Sequence, residues 1–256
     1  MFGKRILILI PHPDDEVVGC CGGILRALAQ GSKILGGYLT TGISSKPKQK
    51  KMVRRRQEAT EAACHLNIHP LFFEETPSRC LKDKFSDVQN KIIVAIKTNA
   101  IDTIWTPAYE GGHQDHDVAN FMANRLKPLA DIWEFSEYNF FGNKRRSNSF
   151  FKKSGNEIRI ELNAEERAIK KKALSIYRSE WFNLWVVKPN LVQETYRPLA
   201  AYDYTQPPHE GKCFTSAFRN FHFTPKLIPS TPATSAPFFN IIRRKISSNK
   251  NLANLF

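Results

Sequence analysis

Short, unbroken apolar runs alternate along this chain with stretches whose apolar residues recur at helical spacing. The first run, Arg5 to Ile10 (Arg-Ile-Leu-Ile-Leu-Ile), has no polar alternation, as expected of a strand covered on both faces in a parallel sheet. Ile24 to Gln30 reads as the helix that returns across that sheet. Lys33 to Leu39 is the second strand, and Lys51 to Leu66 a helix with Met52, Ala59, Ala62, Ala63 and Leu66 roughly on one face. Pro70 to Phe73 follows as a short third strand. Phe85 to Thr98 is amphipathic through Phe85, Val88, Ile92 and Ile96, with Ser86 or Asp87 as its cap. Asp102 to Thr106 is the fourth strand, Asp115 to Leu126 the next helix, and Ile132 to Tyr138 the fifth strand.

This alternation predicts an α/β fold: a Rossmann-like, doubly wound, mostly parallel sheet with helices on both faces. Residues 139 to 156 turn polar and aromatic and read as a loop. Glu157 to Leu162 is a short strand, and a helix runs from Asn163 or Ala164 to about Ser179. Beyond Trp181, the prolines Pro189, Pro198, Pro207 and Pro208 break every pattern, so this part is expected to wrap the body with little regular structure. Residues 1–224 are read as one domain. Residues 225–256 form a basic tail that opens on a Pro/Ser/Thr-rich linker, expected to be mobile, and ends in either an amphipathic surface helix or plain disorder.

Composition narrows the partners more than the fold. At 256 residues and 41% hydrophobic content, the chain can bury one substantial core. No apolar run approaches the roughly 20 residues that span a bilayer. The N-terminal apolar stretch runs into Pro-His-Pro-Asp-Asp rather than a small-residue cleavage site. The expectation is a cytoplasmic protein, with peripheral attachment to a membrane as the variant. Cys20, Cys21, Cys64, Cys80 and Cys213 are odd in number and lack zinc-finger spacing, so they read as reduced, mostly buried thiols. The net charge of +14 gathers at Lys46, Lys48, Lys50, Lys51, Arg54, Arg55 and Arg56, and in a tail with no acidic residue. Unless it is only a solvated surface, such charge favours phosphate groups, an acidic membrane surface or nucleic acid. Gly19-x-x-Gly22-Gly23 is not the dinucleotide fingerprint, and no Gly-Lys-Ser/Thr phosphate loop exists, which argues against a nucleotide cofactor.

Two polar clusters carry candidate chemistry: His12-Pro-Asp14-Asp15-Glu16 and His113-Gln-Asp115-His116. Each follows a strand and precedes a helix, so both should emerge at the same edge of the sheet. Zinc in a hydrolytic site takes about three nitrogen or oxygen ligands and keeps a position open for water. His12, Asp15 and His116 supply that set. Adjacent Asp14 and Asp15 point in different directions on the same tight loop. One can bind the metal while the other faces the bound water as general base, and zinc lowers that water's pKa to about 7. His113, if not a ligand, can face a substrate carbonyl as a protonated imidazole and stabilise an oxyanion. Asp115 can hold a histidine ring in orientation. Singly, each cluster has a plainer explanation, since acids before a helix complement its dipole. Their convergence is what argues for a metal. His65, His69 and His222 read as ordinary histidines.

Pro11-His12-Pro13-Asp14-Asp15-Glu16-Val-Val-Gly-Cys-Cys-Gly22-Gly23 resembles the signature of the LmbE/PIG-L family of zinc-dependent N-acetylsugar deacetylases. His113-Gln-Asp115-His116 resembles that family's second motif, and Arg55-Arg56-Gln57-Glu58-Ala59 a further block. Tyr177-Arg-Ser179-Glu180 and Glu194-Thr-Tyr-Arg197 are similar to weaker family features. The resemblance covers residues 4 to 125 well. It implies His12, Asp15 and His116 as ligands of one Zn2+, Asp14 as base and then acid toward the leaving amine, and His113 as oxyanion stabiliser. It also implies Arg55 as a contact to sugar or phosphate oxygens, with Arg197 a second substrate-binding candidate. The implied reaction removes acetyl from an N-acetylglucosamine-like sugar. The basic stretch 46 to 56 suggests that this sugar is linked to a phosphate, nucleotide or lipid diphosphate. Two alternatives stay open: an amidase on a thiol-sugar conjugate with the same zinc site, and a catalytically silent basic domain. The silent domain would dock on anionic lipid or nucleic acid, although nucleic acid is not the partner expected. Family members often carry glutamine at the position of Glu180, and some a tyrosine just before the second histidine motif. Here Gly111 and Gly112 fill that interval and the nearest tyrosine is Tyr109.

Overall fold

The computed structural model describes residues 1–44 and 49–210. Lys46, Lys48, Cys213, His222, the division after residue 224 and the basic tail lie outside the described residues.

Strand β1 (Arg5–Ile10) feeds two cores at once. Ile6, Ile8 and Ile10 enter one and Leu7 and Leu9 the other, none with any exposure, which is why the run shows no polar alternation. Helix α1 (Asp15–Ala29) leads to β2 (Lys33–Tyr38), parallel to β1 from Arg5↔Lys33 to Ile10↔Tyr38. Next come α2 (Gln49–His65), β3 (His69–Phe73), α3 (Phe85–Asn99), β4 (Thr103–Pro107), α4 (Gln114–Asn124) and β5 (Asp131–Phe135). These five parallel strands lie in the order β3-β2-β1-β4-β5. Residues of α3 and α4 pack on the Leu7 face, and residues of α1 and α2 on the Ile6 face. The order reverses between β1 and β4. At such a switch point the connections leave toward opposite faces and open a crevice at the strands' carboxyl ends. Both polar clusters leave the sheet at those two ends.

Past β5 the structure departs from expectation. The strand expected to reach Tyr138 stops at Phe135, and the chain folds into a small hairpin of β6 (Tyr138–Asn139) and β7 (Arg146–Ser147). After β8 (Ile158–Glu161), α5 (Ala164–Ile176) starts on a capping box between Asn163 and Glu166. It ends at Ile176 rather than near Ser179. A turn of 3-10 helix (Arg178–Glu180) and the short α6 (Trp181–Val187) follow. The segment beyond Trp181 does not merely wrap the body: β9 (Gln193–Pro198) enters the seven-stranded sheet between β5 and β8, antiparallel to both. Its polar sequence hides this, because its burial is satisfied by charge pairing. Glu194 pairs with Lys170 at 2.7 Å and Arg197 with Glu134 at 2.6 Å. Ser86 and Asp87 are not the cap of α3, which grows directly from a 3-10 turn (Leu81–Lys84) with Lys84 at the cap position. Cys20 and Cys21 are buried, Cys80 is half-buried and Cys64 exposed; all four are free thiols. Among the described residues, no helix is long and apolar enough to cross a membrane.

Candidate metal centre

The turn after β1 is tight. His12 O accepts from Asp15 N at 3.1 Å, and Asp15 Oδ2 turns back to accept from His12 N at 2.7 Å. Asp14 sits at φ 121°, ψ −23°, a strained conformation for a residue with a Cβ. Across the crevice His113 caps α4, its Nδ1 accepting from Asp115 N at 3.1 Å. His116 then projects from the first turn toward the opposite loop. Three donor atoms meet there. His12 Nδ1 lies 3.1 Å from His116 Nε2 and 3.4 Å from Asp15 Oδ2, and His116 Nε2 lies 3.3 Å from Asp15 Oδ2. A tetrahedral zinc with bonds of about 2.0–2.2 Å needs its donors roughly 3.3–3.6 Å apart. Two looser triplets, His12–His113–His116 and Asp15–His116–Glu137, have donors within 4.8 Å of one another. Each shares two residues with the first set.

Both imidazoles have their other nitrogen against a buried carboxylate. His12 Nε2 is 3.0 Å from Asp115 Oδ2, and His116 Nδ1 is 3.1 Å from Glu137 Oε2. Such partners fix the tautomer and plane of a ligating ring. Asp115 is held in turn by Arg79 N at 2.6 Å. The Glu137 contact is an ion-pair distance rather than a well-aligned hydrogen bond. Both Glu137 oxygens and Asp115 Oδ1 lack a hydrogen-bond partner among the described residues. Buried carboxyl oxygens without donors are costly in their charged form, and burial pushes the Glu137 carboxyl well up; a positive charge nearby would relieve that cost. The imidazole of His12 reports that demand. Burial alone would push it down, yet the pull of Asp15 and hydrogen bonds to Asp115 and Asp15 raise it to about 10. Burial works against the Asp15 carboxylate too, but His116 and His12 hold it well below its ordinary range. The donor set and the surrounding charge fit a divalent cation.

Two of the three donor residues, His12 and Asp15, line a cleft of about 320 Å³, with His116 buried behind them. Asp14 lines it without joining the triplet. Burial pushes the Asp14 carboxyl well up, and Arg55 opposes this. Arg55 is 2% exposed, with Nη2 donating to Pro13 O at 2.6 Å and lying 3.9 Å from Asp14 Oδ1. Its Nη1 lies 3.4 Å from Glu180 Oε1. His113 also lines the cleft. Burial pushes its imidazole well below the ordinary value, and Nδ1 is already an acceptor. With Nδ1 accepting from Asp115 N, Nε2 is the ring nitrogen left to carry a proton, and burial opposes the doubly protonated imidazole expected from the sequence.

Arg197 is not brought to the cleft, contrary to its reading as a substrate contact. Its Nε bonds Glu134 at 2.6 Å, Nη1 donates to Lys152 O at 2.8 Å and Nη2 to Tyr202 Oη at 2.7 Å. The guanidinium lies 3.9 Å from the centre of the Phe150 ring. A buried cation holding those bonds is a structural tie. Tyr109 likewise points away, donating to Gln206 O at 2.6 Å. Tyr138 enters the cleft instead, its ring centroid 5.6 Å from that of His116. Gly112 permits this approach, because a Cβ there would meet Tyr138 O at 2.1 Å.

Residue spacing gave no sign of Glu137, Tyr138 or Lys170, and Glu194 was visible only within a weak family resemblance, with no role. The last two act on α1, which is broken at Cys20 (φ −142°, ψ 21°). Val18 O, the acceptor an unbroken helix offers to Gly22 N, accepts instead from Lys170 Nζ at 3.1 Å and Asn148 Nδ2 at 3.0 Å. Gly22 N and Gly23 N donate to the Glu194 carboxylate at 3.0 and 3.1 Å. The turn bearing Asp15 is thereby set apart from the body of its helix.

Residues 7–126 match the model of the PIG-L family, described as GlcNAc-PI de-N-acetylase. The uncharacterized deacetylase YaiS of Escherichia coli (strain K12) is 30% identical over 118 residues, 44% of this chain and 62% of that protein. The match thus spans less than two thirds of that relative. Among solved structures, the zinc-inhibited form of teicoplanin deacetylase Orf2 has a TM-score of 0.62 at 17% identity, covering 76% of this chain and 97% of that one. The N,N'-diacetylchitobiose deacetylase from Pyrococcus horikoshii has a TM-score of 0.53 at 18% identity, covering 76% and 83%. At such identity these two speak to the fold alone. The matched stretch, a little under half of the chain, holds His12, Asp15 and His116, and over residues 7–126 the chain is similar to the PIG-L family.

Proposed function

We propose that this protein is a zinc-dependent hydrolase that removes the acetyl group from an N-acetylglucosamine-like sugar, giving a free amine and acetate. The observation that carries it is the triangle of His12 Nδ1, Asp15 Oδ2 and His116 Nε2, with Asp14 lining the same cleft as His12 and Asp15. His12, Asp15 and His116 would hold a divalent cation, which would supply an activated water and polarise the acetamide carbonyl. Asp14 takes the water's proton and returns it to the departing nitrogen, so the carbon–nitrogen bond breaks to a neutral amine. Arg55, 3.9 Å from Asp14 Oδ1, favours the carboxylate form of Asp14 against the effect of burial. His113 donates its Nε2 proton in a hydrogen bond to the oxyanion that develops on the carbonyl.

The match to the family described as GlcNAc-PI de-N-acetylase supports both deacetylation and a sugar substrate, and the deacetylase YaiS supports the first. Lys51, Arg55 and Arg79 line the same cleft, which supports a phosphate-, nucleotide- or lipid-diphosphate-linked sugar. Acetate release by metal-stripped and zinc-reconstituted protein tests the proposal. Release from N-acetylglucosamine conjugates with zinc, and none without it, is the expected outcome. Cleavage of a thiol-sugar amide with every N-acetylsugar left intact would reassign the substrate. Failure to bind zinc, together with steeply salt-dependent binding of polyanions, would mean a non-catalytic domain. Phosphorylated conjugates should be turned over faster than neutral ones at low salt; equal rates would remove the phosphate from the proposal.

A further inference from the structure

Three side chains of α6 are exposed where large aromatic rings ordinarily are not. Trp181 is 68% exposed, Phe182 46% and Trp185 61%. They lie against one another, with centroids 5.8 Å apart for Trp181–Phe182 and 6.1 Å for Phe182–Trp185. A contiguous aromatic patch in water marks a contact surface. The same short helix also walls the candidate site, since Phe182, Leu184, Val186 and Val187 line the cleft. The patch is therefore the outer lip of the cleft mouth.

Its rim carries one sign of charge. Arg178 and Lys188 bracket α6, and both are exposed. The β6–β7 hairpin adds the exposed Lys144, Arg145 and Arg146. Arg145 Nη1 ties it to α6 by donating to Val186 O at 2.8 Å, as does Ser147 Oγ to Val187 O at 2.9 Å. No acidic residue occurs from Phe140 to Asn156 or from Trp181 to Val192, and Glu180 is buried against Arg55.

We propose that α6 and the β6–β7 hairpin form a docking surface for an anionic lipid bilayer. The tryptophan rings enter the headgroup region, and the five cations face lipid phosphates. The residue types select this occupant. Tryptophan beside lysine and arginine is the composition of a bilayer interface, where each ring has an apolar body and a polar edge. A second copy of the chain seated on the same patch would oppose five cations with five like charges. None of these five cations belongs to the basic stretch 46 to 56. Its consequence, that the cleft meets its acceptor at headgroup level, rests on the deacetylase reading; the docking does not.

The test uses full-length protein with vesicles of phosphatidylcholine alone or mixed with phosphatidylglycerol. Co-sedimentation with the mixed vesicles only, a blue shift of tryptophan emission and quenching by brominated acyl chains are expected. Trp181→Ala/Trp185→Ala should weaken the partition about tenfold or more, and Lys144→Glu/Lys188→Glu should abolish the preference for phosphatidylglycerol. None of these four residues lines the cleft, so turnover of a small water-soluble N-acetylsugar should persist in both variants. The proposal is overturned if the wild type ignores both vesicles, or if the tryptophan variant binds as tightly as wild type. It is equally overturned if emission shifts with protein concentration and not with lipid, which would mean a second copy covers the patch. Brominated-lipid quenching of the wild type decides the matter even if the variants fail to fold. Acetate release from the soluble substrate reports separately on the enzymatic reading.

Discussion

Asp14 and Asp15 are identical neighbours that the backbone sends to different surroundings. Asp15 closes back on His12 N and faces both imidazoles. Asp14, held at φ 121°, lies beside Arg55 instead. Replacing Asp14 by Asn should therefore leave zinc affinity intact while lowering kcat/KM by roughly 10²–10⁴-fold, the usual contribution of a general base. Steady-state kinetics on protein of measured metal content checks this. Glu137 lies behind the His116 ring, so Glu137→Gln should weaken zinc binding by roughly 10–100-fold in competition with a chelator. In the metal-free protein His12 keeps its proton up to about pH 10, and a metal must displace that proton. Zinc uptake should therefore release protons and tighten as pH rises through neutrality. Titration calorimetry in buffers of different ionisation enthalpy reads the release, and an uptake with no proton release would contradict the charge arrangement.

At the scale of the element, the helix break in α1 makes the sharpest prediction. Glu194→Leu alone strands the buried Lys170 ammonium and should cost about 3–5 kcal/mol in chemical denaturation. Lys170→Met/Glu194→Leu removes both charges and should restore most of that stability. It also lets Gly22 N return to Val18 O, so α1 closes through Cys20 and the turn bearing Asp15 shifts. Zinc affinity should fall in the double variant although the protein stays folded; unchanged affinity would separate the break from the site. The first half of the fold was legible because burial there is apolar: Arg5–Ile10 and Phe85–Asn99 announce themselves by hydropathy and period. Strand β9 was not, because Glu194 and Arg197 are buried by pairing with residues far away in the sequence. The same limit concealed Glu137 and Tyr138, which follow β5 in a stretch that reads as continued strand. The state of His113 was hidden for another reason: only the start of α4 shows that Nδ1 is spent as a cap.

Across the whole molecule, the feature that needs explaining is how many acids lie buried behind the cleft. Burial raises Glu16 and Glu110 to about 7 and Asp117 to about 8. A carboxyl raised on folding binds its proton more tightly in the native state. Its contribution to stability is complete below its ordinary value and is lost as pH rises through the raised one. The melting temperature of metal-free protein should accordingly fall between pH of about 5 and about 8, and Glu110→Gln should flatten that slope. A melting temperature that climbs over the same interval would contradict the assignment. All of this charge frames one triangle of donor atoms at the switch point between β1 and β4. Metal content after zinc reconstitution and dialysis tests that triangle most directly. One zinc per chain, retained in Asp14→Asn and lost in His116→Ala, is the predicted result; an emptied Asp14→Asn beside a filled His116→Ala would contradict it.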